Sequence, residues 1–167
     1  MHEEPDMMDA PVGPGTRPLD AFDLEQIIAI DRGHTGHGRR HFFEKRFAAA
    51  KAEPGDFVGI GVVRGGTLRG YALARLLRGE FGREQVTAVL DAIGVERASR
   101  DLGIGEVLIE GLIETLRARG VRSLHSQVDW TNHALLQFFE ACGFELAPRT
   151  VLERAVAEPL AERGVDA

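Results

Sequence analysis

Cysteine is nearly absent from this chain of 167 residues: Cys142 is the only one, so no disulfide can close within it and a cysteine-rich zinc site is excluded. No stretch approaches the roughly 18 consecutive apolar residues that a membrane span requires, so no membrane partner is expected. Positive charge is in deficit. The formal net charge of -6 argues against a nucleic-acid partner, which calls for a basic face. The start, MHEEPDMMDAPVGPG, lacks the basic opening and apolar stretch of a secretory signal. The cytoplasm is therefore the expected compartment, and residues 1–15 are expected to form a flexible leader. Internal repeats and low-complexity linkers are also missing, which leaves one expected domain over residues 16–156 and a tail over 157–167.

What remains is an ordinary globular composition, 44% hydrophobic and 28% charged, long enough for a sizeable core. DLEQIIAID carries Leu24, Ile27 and Ile28 at helical spacing behind a candidate N-cap, Asp23. A second helix is expected from Arg39, with Phe42, Phe43, Phe47 and Ala50 as its apolar stripe and Pro54-Gly55 as its stop. DFVGIGVV and LRGYALARLL flank RGGT, hairpin chemistry in which Gly65 and Gly66 take positive φ. QVTAVLDAIGV reads as a central strand. An amphipathic helix follows, with Ile104, Val107, Leu108, Leu112 and Leu116 on one face and Gly120 as its stop. VRSLHSQVDW is the next expected strand, TNHALLQFFEACGF a short helix, and FELAPRTVLERAV one or two closing strands. The order β-α-α-β-β-β-α-β-α-β-β specifies an α/β fold, a mixed sheet with helices on both faces.

Chemistry concentrates in VLDAIGVERASRDLGIGEVLIEGL. A buried strand runs into a loop holding Arg100, Gly103 and Gly105, and a helix opens at once. First-turn N–H groups of a helix lack intrahelical partners and carry partial positive charge. With glycines for close approach and Arg100 for full charge, the loop reads as a pyrophosphate cradle. The dinucleotide fingerprint fails, because Leu108 stands where the third glycine belongs, and the P-loop fails for want of a Lys-Ser/Thr pair. A glycine-containing turn that binds nothing remains the plain alternative.

From TRPLDAFDLEQIIAID to FFEACGFELAPRTVLER, roughly residues 16 to 154, the chain resembles the Gcn5-related N-acetyltransferase (GNAT) superfamily. The resemblance rests on Val95, then Arg100, Gly103 and Gly105 at the family's spacing, and on Asn132 followed by Gly143-Phe144. It implies a central mixed, mostly antiparallel β-sheet flanked by helices and split between its two central strands. It also implies an acyltransferase with acetyl-CoA as cosubstrate and no metal, moving an acyl group by direct transfer to a primary amine of a small molecule or a protein. In that pattern Ile93, Gly94 and Val95 hold the pantetheine arm, and an N–H near Ile93 polarises the thioester carbonyl. Arg100, Asp101, Leu102, Gly103, Ile104, Gly105 and Glu106 surround the pyrophosphate, and Asn132 holds the pantetheine or its neighbouring backbone. Phe139 stands at the cofactor-facing position where many members carry the tyrosine that protonates the departing thiolate.

For the base, Asp91 is the first candidate. Strand alternation predicts that it shares a face with Ile93 and Val95, and an acid in so apolar a strand is either functional or paired to an arginine. His125 and Asp129 are weaker candidates; Glu80 and Glu84 read as solvated, Cys142 as a buried thiol, and Trp130 and Tyr71 as packed aromatics. The stretch DRGHTGHGRRHFF, with His34, His37 and His41, is assigned to acceptor recognition through Arg39 or Arg40 ahead of a metal site or a plain polar connector. Net acidity favours a cationic acceptor. A non-catalytic acyl-CoA-binding or regulatory module is the alternative reading, and a homodimer is left open.

Overall fold

Two glycines set the sheet. Gly65 and Gly66 adopt φ of 59° and 73°, the positive values a two-residue hairpin turn demands, and they join β2 (Phe57–Arg64) to β3 (Thr67–Leu77). The computed structural model describes residues 15–157; the expected leader and tail lie outside the described residues but for Gly15 and Ala157. The five-stranded sheet runs β1 (Arg17–Pro18), β2, β3, β4 (Thr87–Val95), β5 (Leu124–His125). All neighbours are antiparallel except β4 and β5, which are parallel.

Helices cover both faces. α3 (Ile104–Ala118) packs its apolar stripe on one face, where Ile104, Leu108, Ile109 and Leu112 meet Val58, Ile60, Ala72 and Ala74. Full burial of a side chain this size contributes about 1.5–3 kcal/mol. α1 (Leu24–Thr35) and α2 (Arg40–Ala52) cover the other face, where Ile27, Ile28 and Phe43 close over Tyr71, Leu73 and Ala92. α4 (His133–Ala141) leans Phe138 and Phe139 against the α3 side.

Four expectations are corrected. α1 continues through Gly33 to Thr35, ended by Gly36 at φ 80°, so only residues 36–39 of the histidine-rich stretch lie outside α1 and α2. Asp23 does not cap α1; its carboxylate accepts from Arg17 and from the backbone N–H of Asp20. β5 keeps only two residues of the expected VRSLHSQVDW strand. The cause lies in β4: pairing with β3 steps from Leu73–Ala92 to Ala74–Leu90, leaving Asp91 as an extra residue. Such a bulge bends its strand, and pairing with β5 stops just before it while pairing with β3 resumes. The closing strands do not form, and residues 145–157 run exposed without regular structure. With β5 so short, that segment meets no ladder long enough to join, and Pro148 removes a donor from it.

Candidate active site

Beyond Val89–His125, β4 has no partner on its outer side. Which backbone groups it offers there follows from register. Glu96 N–H donates to Arg69 C=O, flanking the Gly70–Val95 pair, so Val95 belongs to a non-hydrogen-bonded pair and its own N–H and C=O point away from β3. Alternation gives Ile93 the same outward orientation and turns Gly94 inward to β3. Ile93 and Val95 thus present backbone to the open edge, as expected, and Gly94 does not. A Cβ on Gly94 would lie 2.7 Å from the Tyr71 ring; this glycine makes room for a core aromatic.

The loop after β4 makes a short 3-10 turn, Arg97–Ser99, then places Arg100 in extended backbone, Asp101 at φ 61° and Gly103 at φ 73°. Two left-handed residues in so short a span turn the chain sharply into α3, and αL costs a non-glycine such as Asp101 about 1 kcal/mol. Gly103 is the N-cap of α3 and has no side chain to bond the first-turn N–H groups, so the helix terminus beside Arg100, Leu102 and Glu106 is uncapped and positive. Gly105 also has a packing role. A Cβ there would stand 2.7 Å from the Phe138 ring, so its absence lets α4 close on α3. Ile104 is core, 1% exposed.

The end of α1 is tied to this loop. His34 Nε2 lies 2.8 Å from Val95 C=O, Arg100 Nη2 lies 2.8 Å from His34 Nδ1, and Arg97 Nε donates to Gly33 C=O at 2.8 Å. Sequence reasoning missed this contact. Arg39 and Arg40 of the stretch make ion pairs of their own. Asp31, buried, receives Arg39 through its backbone N–H at 3.0 Å and its guanidinium at 2.7 Å, and the Tyr71 hydroxyl at 3.4 Å. Burial pushes the Asp31 carboxyl up, but the Arg39 bonds outweigh it and hold the group below the usual carboxylate range. Arg40 pairs with Glu25 at 2.7 Å. Both guanidiniums are thus paired with carboxylates of α1. Among the described residues no three or more His, Cys, Asp or Glu side chains gather into a metal-binding group.

The bulge also corrects the facing of Asp91. Ile93 and Val95 pack on the α3 side with Ala88 and Leu90, whereas Asp91 turns to the α2 side, 2.8 Å from Arg46 Nε and 3.0 Å from Arg75 Nε. It is a paired carboxylate. A cavity of about 130 Å3 borders it, walled by Phe47, Phe57, Leu73, Arg46 and Arg119. Leu124 packs toward α3, so its strand neighbour His125 faces the Asp91 side, at the point where β5 leaves β4. His125 Nδ1 is 2.7 Å from Arg149 and Nε2 is 2.9 Å from Ser123 Oγ. Burial, then the charges of Arg149 and Arg83, lower its pKa, so the ring is neutral near pH 7. Asp129 is turned to its own loop, accepting from Thr131.

Asn132 caps α4, its carboxamide oxygen accepting from Leu135 N–H at 3.2 Å. Phe139 is 5% exposed and stacks 4.7 Å from Phe144, so it belongs to the core under α4 and not to the cleft surface. Cys142 is half-buried, its thiol pushed up by burial. Trp130 is 83% exposed, and is not the packed aromatic expected, whereas Tyr71 is fully buried.

The sheet is thus open on one side of β4, with an uncapped helix terminus at the end of that opening. Residues 22–144 match the family model described as the acetyltransferase (GNAT) family. The chain is 30% identical over 132 residues to the [ribosomal protein bS18]-alanine N-acetyltransferase of Escherichia coli (strain K12), covering 77% of this chain and 79% of that one. Among solved structures it is similar to the ribosomal-protein-S18-alanine N-acetyltransferase from Escherichia coli, with a TM-score of 0.66 at 22% identity over 79% of this chain and 77% of that one. It is also similar to AAC(6')-Iy in complex with the bisubstrate analog CoA-S-monomethyl-acetylneamine, with a TM-score of 0.69 at 19% identity over 84% and 96%. The chain belongs to the GNAT acetyltransferase family and is an acyltransferase.

Proposed function

We propose that the chain is an acetyl-CoA-dependent N-acetyltransferase acting on a singly charged primary amine, with a protein N-terminus as the acceptor class. The observation that carries the donor half is the run of outward backbone groups at Ile93 and Val95 leading into the uncapped α3 terminus beside Arg100. Acetyl-CoA supplies the activated acyl carbonyl. Ile93 and Val95 align the donor arm as an added strand would, the α3 amides from Asp101 to Glu106 with Arg100 hold its pyrophosphate, and backbone N–H at the bulge polarises the carbonyl.

The acceptor half rests on charge. The α2 side of the split carries Arg46 and Arg75 on the carboxylate of Asp91 and Arg149 on His125, and that excess of positive charge disfavours a polycation despite the acidic whole. A terminal α-amine, with a pKa of about 7.7–8.0, is partly neutral at working pH. Its nitrogen attacks the thioester carbon, the C–N bond forms, the C–S bond breaks, and one nitrogen proton passes to solvent water, because Arg149 already takes the lone pair of His125 Nδ1. Asp91, expected as the base, has its oxygens engaged by two guanidinium groups and is assigned to positioning at the bulge. With no hydroxyl at Phe139, the thiol leaves as thiolate, feasible at a pKa of about 8.5, and is protonated by water.

Acetyl-CoA should raise the melting temperature of the wild type and leave Arg100→Glu unchanged. Thiol release should then be faster with peptides bearing free N-termini than with polyamines or aminoglycosides. No thermal shift in the wild type sinks the donor assignment; a preference for polycations sinks the acceptor assignment.

A further inference from the structure

Arg100 does not stand alone in its loop. Its guanidinium donates to His34 Nδ1 at 2.8 Å, while His34 Nε2 sits 2.8 Å from the Val95 carbonyl. A guanidinium has no acceptor, so Nδ1 supplies the lone pair and Nε2 carries the proton given to Val95 C=O. Only the neutral ring in one tautomer satisfies both bonds. The carbonyl it grips is on the open edge of β4, and the arginine it grips is at the mouth of the α3 terminus. Three residues before Arg100 in the same loop, Arg97 fastens to Gly33 C=O, fixing the helix end that carries His34. His34 pairs with no carboxylate among the described residues; its polar partners are Arg100 from the loop and the backbone of β4.

We propose that His34 is the positioning residue for Arg100: by accepting from the guanidinium and donating to β4, it holds the charge over the cradle and sets the affinity for the anionic part of the donor. The proposal rests on the acetyl-CoA reading above. His34 acts as an acceptor and not as a positive charge, and this separates it from an ordinary anion contact. Glutamine can offer one donor and one acceptor in the same way. Lysine can only donate, and its charge repels Arg100.

Acetyl-CoA affinity by calorimetry tests this in intact protein. His34→Ala should weaken binding about fivefold to tenfold, the scale of one ordinary hydrogen bond, because this contact is exposed to solvent. Arg100→Ala should weaken it at least as much, and the double variant should bind as Arg100→Ala alone. His34→Gln should restore most of the loss, and His34→Lys should bind less tightly than wild type despite its added charge. Additive losses in the double variant, or tighter binding by His34→Lys, overturn the proposal while wild-type binding stands. Failure of the wild type to bind acetyl-CoA overturns the donor reading and this proposal together. Melting temperatures without ligand, close to wild type because His34 is exposed, confirm that folding is not what is being read.

Discussion

The two sides of β4 differ in kind. Toward β3 the strand is paired over its whole length from Thr87–Leu77 to Val95–Gly70, and the side chains around that seam are buried on both faces. Toward β5 it is paired at Ala88 and Val89 alone, and everything beyond is open. One inserted residue, Asp91, separates these regimes. The closed side concentrates stability; on the open side His34 takes the Val95 carbonyl, and the outward backbone groups of Ile93 are left for a ligand. Substitutions on the two sides should therefore move different observables.

The largest effect is expected at Asp31, deep on the closed side. Removing one partner of a buried ion pair costs about 3–5 kcal/mol. Arg39 is 42% exposed, and solvent screening discounts the figure to about 2–3 kcal/mol. Arg39→Ala should lower the melting temperature by roughly 5–10 °C, with donor binding kept. The pH dependence has a definite sign. The Asp31 carboxyl is held below its unfolded value by Arg39, so its stabilisation is present above about pH 4 and is lost as pH falls through the folded value. Asp31→Asn should flatten that acid limb; an unchanged limb would refute the assignment.

A smaller loss is expected from Gly94→Ala. The added methyl meets the ring of the fully buried Tyr71, and overpacking of this kind costs about 1–3 kcal/mol. Denaturant unfolding would reveal it. A neutral outcome would mean that Tyr71 has room to turn.

The smallest effect on stability should come from His125→Gln on the open side. Burial and the charges of Arg149 and Arg83 lower the His125 pKa in the fold, so it contributes stability at neutral pH that is lost as pH falls, because the unfolded chain then binds more protons. His125→Gln should remove that acid limb from the unfolding free energy; a limb that survives the substitution would place its origin elsewhere.

Legibility in the sequence divides along similar lines. The Gly65-Gly66 hairpin, the α3 stripe and the cradle loop are local patterns, and each forms where the sequence places it. The bulge is hidden because β4 is covered on both faces, so its alternation of half-buried and buried residues runs unbroken through Asp91 while the face presented changes. Gly94 and Gly105 owe their identity to rings of Tyr71 and Phe138, distant in sequence, and a local motif cannot reveal such neighbours. The His34–Arg100 contact spans 66 positions. β5 is short because its partner bends away, a property of β4 and not of the VRSLHSQVDW stretch.

The Arg97–Gly33 bond has an electrostatic consequence. Gly33 lies in the last turn of α1, whose carbonyls form the negative pole of that helix. The loop that receives them opens the positive pole of α3. Two helices thus meet tail to head across a few residues, with Arg97 and Arg100 interposed. Those guanidiniums insulate the anion side of the loop from a helix end that would otherwise repel a phosphate, so the field at the mouth of α3 stays attractive although α1 ends against it.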